Sequence, residues 1–226
     1  MNFRFFKKSL PLTIIMLVFS VFMISAIYSI LKPEKRLPVF NPVDVNPRLV
    51  DQSLLHISSN HKIRDFSLIN QNGKVITQED YKDKIYVSDF FFTTCQTICP
   101  IMTHNMAKIQ KEFNEDDSVM LLSHSVTPEI DSVTVLRDYA DRKGVVDVKW
   151  NVTTGDKKHI YELARKSYFA VVDEGDGGVQ DFIHTENFIL VDKKRQIRGY
   201  YDGTQDEEMD RLITDIKTLQ KEYLKN

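Results

Sequence analysis

The sequence predicts an α/β domain in which a mixed sheet is covered by helices on both faces. Residues 85–92 and 119–123 are short apolar runs rich in β-branched and aromatic residues, as is typical of buried strands. The segment between them has the spacing of a helix, with apolar residues four, three and four positions apart: Met102, Met106, Ile109 and Phe113. Strands that alternate with helices in this way favour a layered α/β architecture.

Hairpin signals lie on either side of this alternating region. Asn72-Gly73 separates two strand-like segments, and this dipeptide tolerates the positive φ angles of a tight hairpin turn. Residues 188–191 and 196–201 indicate a second hairpin, and a helix with an apolar stripe follows it. A closing hairpin and helix are the expected ending of a thioredoxin-like fold. In sheets of this kind, functional residues gather at the carboxyl ends of the strands.

The amino terminus has the properties of a membrane anchor. Residues 9–31 contain no charged side chain, and a helix of this length rises about 34 Å, enough to cross a bilayer. We predict a short cytoplasmic segment at 1–8, a transmembrane anchor at 9–31 and a proline-containing tether at 32–58. The thioredoxin-like domain follows at 59–226. The apolar run exceeds that of a cleaved signal peptide, so we predict an uncleaved single-pass anchor.

The composition restricts the class of protein to which this chain can belong. The formal charge is −2, from 30 basic and 32 acidic side chains, which argues against a nucleic-acid binder. An apolar content of 42% is sufficient for a full core, so the fold does not depend on disulfides. The two cysteines, Cys95 and Cys99, therefore call for another explanation.

Cys95 and Cys99 lie where a buried strand turns into a helix, with Pro100 suited to the first helical turn. A disulfide across so short a loop would stabilise the fold by only about 2 kcal/mol, which disfavours a structural role. The helix amino terminus favours thiolates, so the pair suits thiol–disulfide exchange or binding of a soft metal such as Cu(I) or zinc.

A two-cysteine metal site needs a further ligand, and the sequence has six histidines. Helical geometry turns His104 away from the thiols, and three others are interpreted as surface residues: His56, His61 and His159. Two candidates remain. His124 ends a predicted strand, and His184 follows a glycine-rich segment at 173–178.

The cysteine segment resembles the Cys-x-x-x-Cys-Pro signature of the Sco/SenC family of copper chaperones. It reads Cys95-Gln96-Thr97-Ile98-Cys99-Pro100 after three phenylalanines and two threonines. Further blocks that resemble the family lie at residues 123–129, 150–156, 183–185 and 198–203. The resemblance covers roughly residues 60–220.

The resemblance implies a thioredoxin-like domain that binds one copper ion, Cu(I) or Cu(II), through Cys95, Cys99 and His184. It implies cytochrome c oxidase subunit II as the partner that receives copper for its binuclear site. It also implies a domain outside the bacterial inner membrane, or between the mitochondrial membranes in eukaryotes. Because the amino terminus does not resemble an Arg- and Ser-rich transit peptide, we expect a bacterial inner-membrane protein with its soluble domain on the periplasmic side. Two positions depart from the family pattern: Thr127 replaces an aspartate, and Ile183 precedes the histidine where an aspartate is common.

Enzymatic activity stays open at this point. The alternative function is a thiol–disulfide oxidoreductase in which Cys95 and Cys99 are the redox-active pair, acting on the oxidase's copper-site cysteines or in redox defence. A peroxiredoxin is a more distant alternative, because its nucleophile should follow a Thr or Ser by three residues. Phe92 and Gln96 occupy that position before the two cysteines.

Overall fold

The computed structural model describes residues 3–31, 36–51, 53–171, 178 and 182–224. The chain divides into two units, residues 1–35 and 36–226. The first unit contains helix α1 (Phe3–Leu31), with side chains described for residues 14–28. Among the described residues, no helix combines the length and apolar character needed to cross a bilayer.

The second unit is built on a seven-stranded mixed sheet. Its strands are β1 (Ser67–Asn70), β2 (Val75–Thr77), β3 (Ile85–Phe91), β4 (Val119–Ser125), β5 (Trp150–Thr154), β6 (Asn187–Val191) and β7 (Ile197–Asp202). The spatial order is β2-β1-β5-β4-β3-β6-β7. The central strands β3, β4 and β5 are parallel, whereas β1, β2, β6 and β7 join through antiparallel pairs.

Within the described residues, four α-helices accompany the sheet: α2 (Cys99–Glu112), α3 (Val133–Lys143), α4 (Lys157–Lys166) and α5 (Asp206–Leu224). Local sequence sets several of their ends. Pro100 lies in the first turn of α2, and the Asp156 carboxylate caps α4 by accepting the His159 N–H at 2.8 Å. Gly144 ends α3 at φ +70°, a conformation that glycine adopts without strain.

The two faces of the sheet contact separate hydrophobic cores. Along β3, Tyr86 and Phe90 point into the first core, and Val87 and Phe91 point into the second. Helix α4 packs in the first core, and α2, α3 and α5 pack in the second. Phe92, the first residue after β3, contacts both cores. The structure therefore confirms the predicted α/β class, the mixed sheet and the helices on both faces.

The segment predicted as a tether differs from that prediction where the structure describes it. Residues 36–51 and 53–58 belong to the folded unit, and Leu37, Val45 and Val50 are buried. The Arg198 guanidinium donates to the carbonyl oxygens of residues 37 and 38 at 2.7 and 2.9 Å. The prolines indicated an extended tether, but several apolar side chains of the segment are buried in the folded unit.

Candidate metal and thiol site

The cysteine loop connects the end of β3 to the start of α2. The Cys95 N–H donates to the Phe92 carbonyl oxygen at 3.3 Å, which turns the chain sharply after the strand. Cys99 is the first residue of α2, and its N–H points at the Cys95 sulfur from 3.5 Å. Both cysteines are free thiols in the structure. A backbone N–H at the helix start, which has no acceptor within the helix, thus donates to a sulfur, and this contact favours the thiolate.

The two thiols differ in acidity. Burial opposes ionisation of Cys95, but hydrogen bonds from Cys99 and Thr97 outweigh it and lower the Cys95 pKa to about 7. Burial raises the pKa of Cys99 to about 12, and the neighbouring Cys95 and Asp89 charges act in the same direction. Cys95 is therefore the reactive thiolate near neutral pH, and Cys99 is its protonated, buried partner.

The first turn of α2 is attached to the second core. The Thr103 hydroxyl donates to the Cys99 carbonyl oxygen at 2.7 Å, and its oxygen lies 2.5 Å from the hydroxyl oxygen of Tyr139 on α3. The Tyr139 ring packs on Phe91 with a centroid separation of 5.3 Å. These contacts attach Cys99 to the second core.

His184 lies on a separate loop and is exposed to solvent. Ile183 and Thr185 on either side of it are buried, and the Thr185 hydroxyl donates to a backbone carbonyl oxygen at 2.9 Å. Phe182 packs edge-on against Phe92, at a centroid distance of 5.2 Å, so the two loops contact each other. Residues 173–177 of the glycine-rich segment lie outside the described part of the chain.

The structure brings the two cysteines together but does not assemble a complete three-ligand centre. Across the residues that are described, no group of three or more His, Cys, Asp or Glu side chains is arranged to bind a metal ion. The donor set nevertheless fits copper chemically, because two sulfurs and an imidazole are ligands that copper prefers. Cys95 and His184 are both accessible, as entry of an ion requires.

The other histidine candidate, His124, does not lie at the site. It is completely buried in the first core and stacked on Phe90 at 4.8 Å. Neither ring nitrogen has a hydrogen-bond partner among the described residues. Burial lowers the pKa of His124 to about 3, and the charge of His159 acts in the same direction. His104 is exposed on α2, as predicted.

Two buried carboxyl groups near the cysteine loop were missed by the sequence reasoning. Asp89 lies on β3, where it accepts the Ser123 hydroxyl at 2.5 Å, and Ser123 in turn accepts the Trp150 indole N–H at 2.8 Å. Burial raises the pKa of Asp89 to about 7. A charged residue inside an apolar strand was a visible signal. Asp131, after β4, had no signal of its own in the sequence.

Comparison with known proteins assigns the chain to one family. The SCO1/SenC family model matches residues 56–221. The SCO1 protein homolog of Bacillus subtilis is 34% identical over 161 residues, covering 70% of this chain and 83% of the relative. The chain therefore belongs to the SCO1/SenC family, as the motif resemblance predicted.

Solved structures agree with this assignment. BsSco, described as a member of the Sco family of cytochrome c oxidase assembly proteins with a disulfide switch, is 33% identical with a TM-score of 0.61. The match covers 71% of this chain and 94% of that one. ScoI of Arabidopsis thaliana, solved with copper bound, is 24% identical with a TM-score of 0.55, over 68% of this chain and 97% of that one.

Proposed function

We propose that this protein is a copper carrier that binds one ion through Cys95, Cys99 and His184. The observation that supports it most directly is the paired thiols at the start of α2, with a backbone N–H on the Cys95 sulfur. With a pKa of about 7, Cys95 offers a thiolate at neutral pH. A soft cation would then displace the proton of Cys99, because metal binding requires deprotonated sulfur.

His184 is the proposed third ligand. Its imidazole is exposed, and buried neighbours on both sides attach its loop to the domain. The contact between Phe182 and Phe92 supports the proposal that this loop lies close to the cysteine loop. A site in which one ligand comes from a separate loop can open, which suits release of the ion by ligand exchange.

The proposed recipient is cytochrome c oxidase, at the binuclear copper site of its subunit II. The description of BsSco as a member of the Sco family of cytochrome c oxidase assembly proteins supports this choice. Thiolates on both partners would let copper pass through mixed coordination without being released into water.

Copper titration of the reduced, full-length chain tests the proposal. We expect one Cu(I) per chain, and we expect Cys95→Ser, Cys99→Ser and His184→Ala each to weaken binding by at least about tenfold. His104→Ala is the matched control, because it removes an exposed imidazole from the cysteine helix itself. One-to-one binding that persists with wild-type affinity after loss of both cysteines excludes the proposed site.

A second candidate, a thiol–disulfide oxidoreductase, is favoured by the unequal acidity of the thiols. The Cys95 thiolate would attack a target disulfide, forming a mixed disulfide and releasing one target thiolate. Cys99 would then lose its proton and attack the Cys95 sulfur, which releases the second target thiol and leaves an internal disulfide. Rapid metal-free reduction of a protein disulfide, abolished by Cys95→Ser, distinguishes this activity from copper transfer.

We further propose that residues 9–31 anchor the protein in the bacterial inner membrane as a single pass, with the domain on the periplasmic side. The support is the 23-residue run without charge. Retention in the membrane pellet after alkaline extraction, together with digestion of the domain by protease added outside spheroplasts, is the expected result. Release by alkali contradicts the anchor.

A further inference from the structure

Asp131 is a completely buried carboxylate in the loop between β4 and α3. It accepts hydrogen bonds from three hydroxyl groups and one backbone N–H. The hydroxyl oxygens of Ser125 and Thr127 lie 2.6 and 3.0 Å from Oδ2. Thr93 donates twice, from its backbone N–H to Oδ2 at 3.3 Å and from its hydroxyl to Oδ1. Four donors compensate the cost of burying this carboxylate.

The parallel pairing of β3 and β4 explains why these groups meet. Phe91 at the end of β3 is in register with Ser125 at the end of β4, so both strands deliver their following loops to one edge of the sheet. Thr93 is the second residue after β3, and Asp131 lies on the loop that follows β4. The carboxylate thus connects the cysteine loop to the neighbouring strand.

We infer that Asp131 is the positioning residue of the cysteine pair. Thr93 lies two residues before Cys95, and the turn between them places the Cys95 sulfur 3.5 Å from the Cys99 backbone nitrogen. Asp131 binds Thr93 at both its backbone and its side chain, which fixes where that turn begins. It acts through Thr93 and does not touch the sulfur.

A positioning role of Asp131 predicts two measurable effects of releasing the cysteine loop. Disulfide formation between Cys95 and Cys99 should weaken when the loop is released, because the two thiols lose their mutual placement. Copper affinity should fall as well, since residues that orient metal ligands typically account for about 10–100-fold in affinity. The predicted loss of copper affinity rests on the proposed function, whereas the predicted weakening of the disulfide does not.

A carboxylate that merely stabilises the fold would behave differently, and Asp215 supplies the comparison. Asp215 is a buried carboxylate on α5 that accepts the Tyr201 hydroxyl at 3.1 Å. Replacing either aspartate by asparagine should lower the free energy of unfolding. Only the Asp131 replacement should change the chemistry of the thiols.

The first measurement uses the metal-free, full-length protein purified in detergent, equilibrated with reduced and oxidised glutathione. We expect Asp131→Asn and Thr93→Val each to lower the equilibrium constant for the internal disulfide by about tenfold, equivalent to about 30 mV. Thr93→Ser keeps the hydroxyl and should retain the wild-type constant. Thr127→Val removes a donor from the same carboxylate without touching the cysteine loop, and its effect should be less than about twofold.

The second measurement is Cu(I) affinity, by competition with a colorimetric chelator. Asp131→Asn and Thr93→Val should bind about tenfold more weakly than wild type, and Asp215→Asn should bind equally well. If Asp131→Asn does not fold, Thr93→Val still removes the hydroxyl bond between Thr93 and Asp131 while the backbone bond remains.

Equal disulfide constants in Asp131→Asn, Thr93→Val and Asp215→Asn overturn the inference. Failure of the wild-type protein to bind copper contradicts the proposed function instead. In that case the glutathione measurement alone still decides the role of Asp131.

Discussion

The buried imidazole of His124 makes the stability of the protein depend on pH. The pKa of His124 is lowered from its ordinary value of 6.5 to about 3, mainly by burial. The unfolded chain therefore binds a proton on this residue at a pH where the folded protein does not. Its contribution to stability is fully present above pH 6.5 and is progressively lost as the pH falls toward about 3.

The two pKa values set the size of the effect. Between about pH 7.5 and about pH 5, proton uptake by the unfolded chain at this one residue lowers the free energy of unfolding by about 2 kcal/mol. His124→Phe removes the titration and retains a ring that can stack on Phe90. It also removes two ring nitrogens without hydrogen-bond partners among the described residues, so at about pH 7.5 the variant should be at least as stable as wild type.

The assay is urea unfolding followed by far-ultraviolet circular dichroism at both pH values. Wild type should lose about 2 kcal/mol more than His124→Phe between them. His104→Ala removes an exposed imidazole and should retain the wild-type dependence. Equal losses in wild type and His124→Phe would refute the reasoning, since they would mean that the His124 imidazole titrates alike in the folded and unfolded states.

Three further predictions concern the thiols, the domain boundary and one close contact. Alkylation of the metal-free protein should label Cys95 with a midpoint at about pH 7, its rate rising with pH, while Cys99 stays unlabelled, as peptide mass spectrometry can establish. A fragment of residues 36–226 should fold, whereas one of residues 59–226 should show a lower and broader thermal transition because it lacks buried side chains. Gly203→Ala should cost about 1–3 kcal/mol in urea unfolding, because a Cβ would lie 2.7 Å from an aromatic ring carbon and 2.9 Å from a backbone oxygen.

Sequence periodicity predicted most of the fold because the buried positions follow regular spacing. The apolar residues of α2 that carry the predicted spacing, Met102, Met106 and Ile109, are buried, whereas Ile101 lies outside that spacing and is exposed. The same reasoning failed for residues 36–51 and 53–58, which were predicted to be part of a tether. Their prolines indicate an extended chain, but whether such a chain packs on the domain depends on long-range contacts such as those of Arg198.

The candidate site was predictable in part. Cys95 and Cys99 are four positions apart in sequence, so a strand followed by a helix was enough to place them together. His184 was chosen through the family resemblance, and its role as a ligand stays a prediction. Asp131 and Thr93 meet only because β3 and β4 are parallel neighbours, which no local pattern reveals.

The hydrogen-bonded series from Trp150 through Ser123 to Asp89 has a practical consequence. Trp150 is the single tryptophan of the sequence, and its indole is two hydrogen bonds away from a carboxyl group whose charge acts on Cys99. Ionisation of that carboxyl group alters the field at the indole. The protein thus contains an intrinsic fluorophore that is hydrogen-bonded, through Ser123, to the carboxyl group that acts on Cys99.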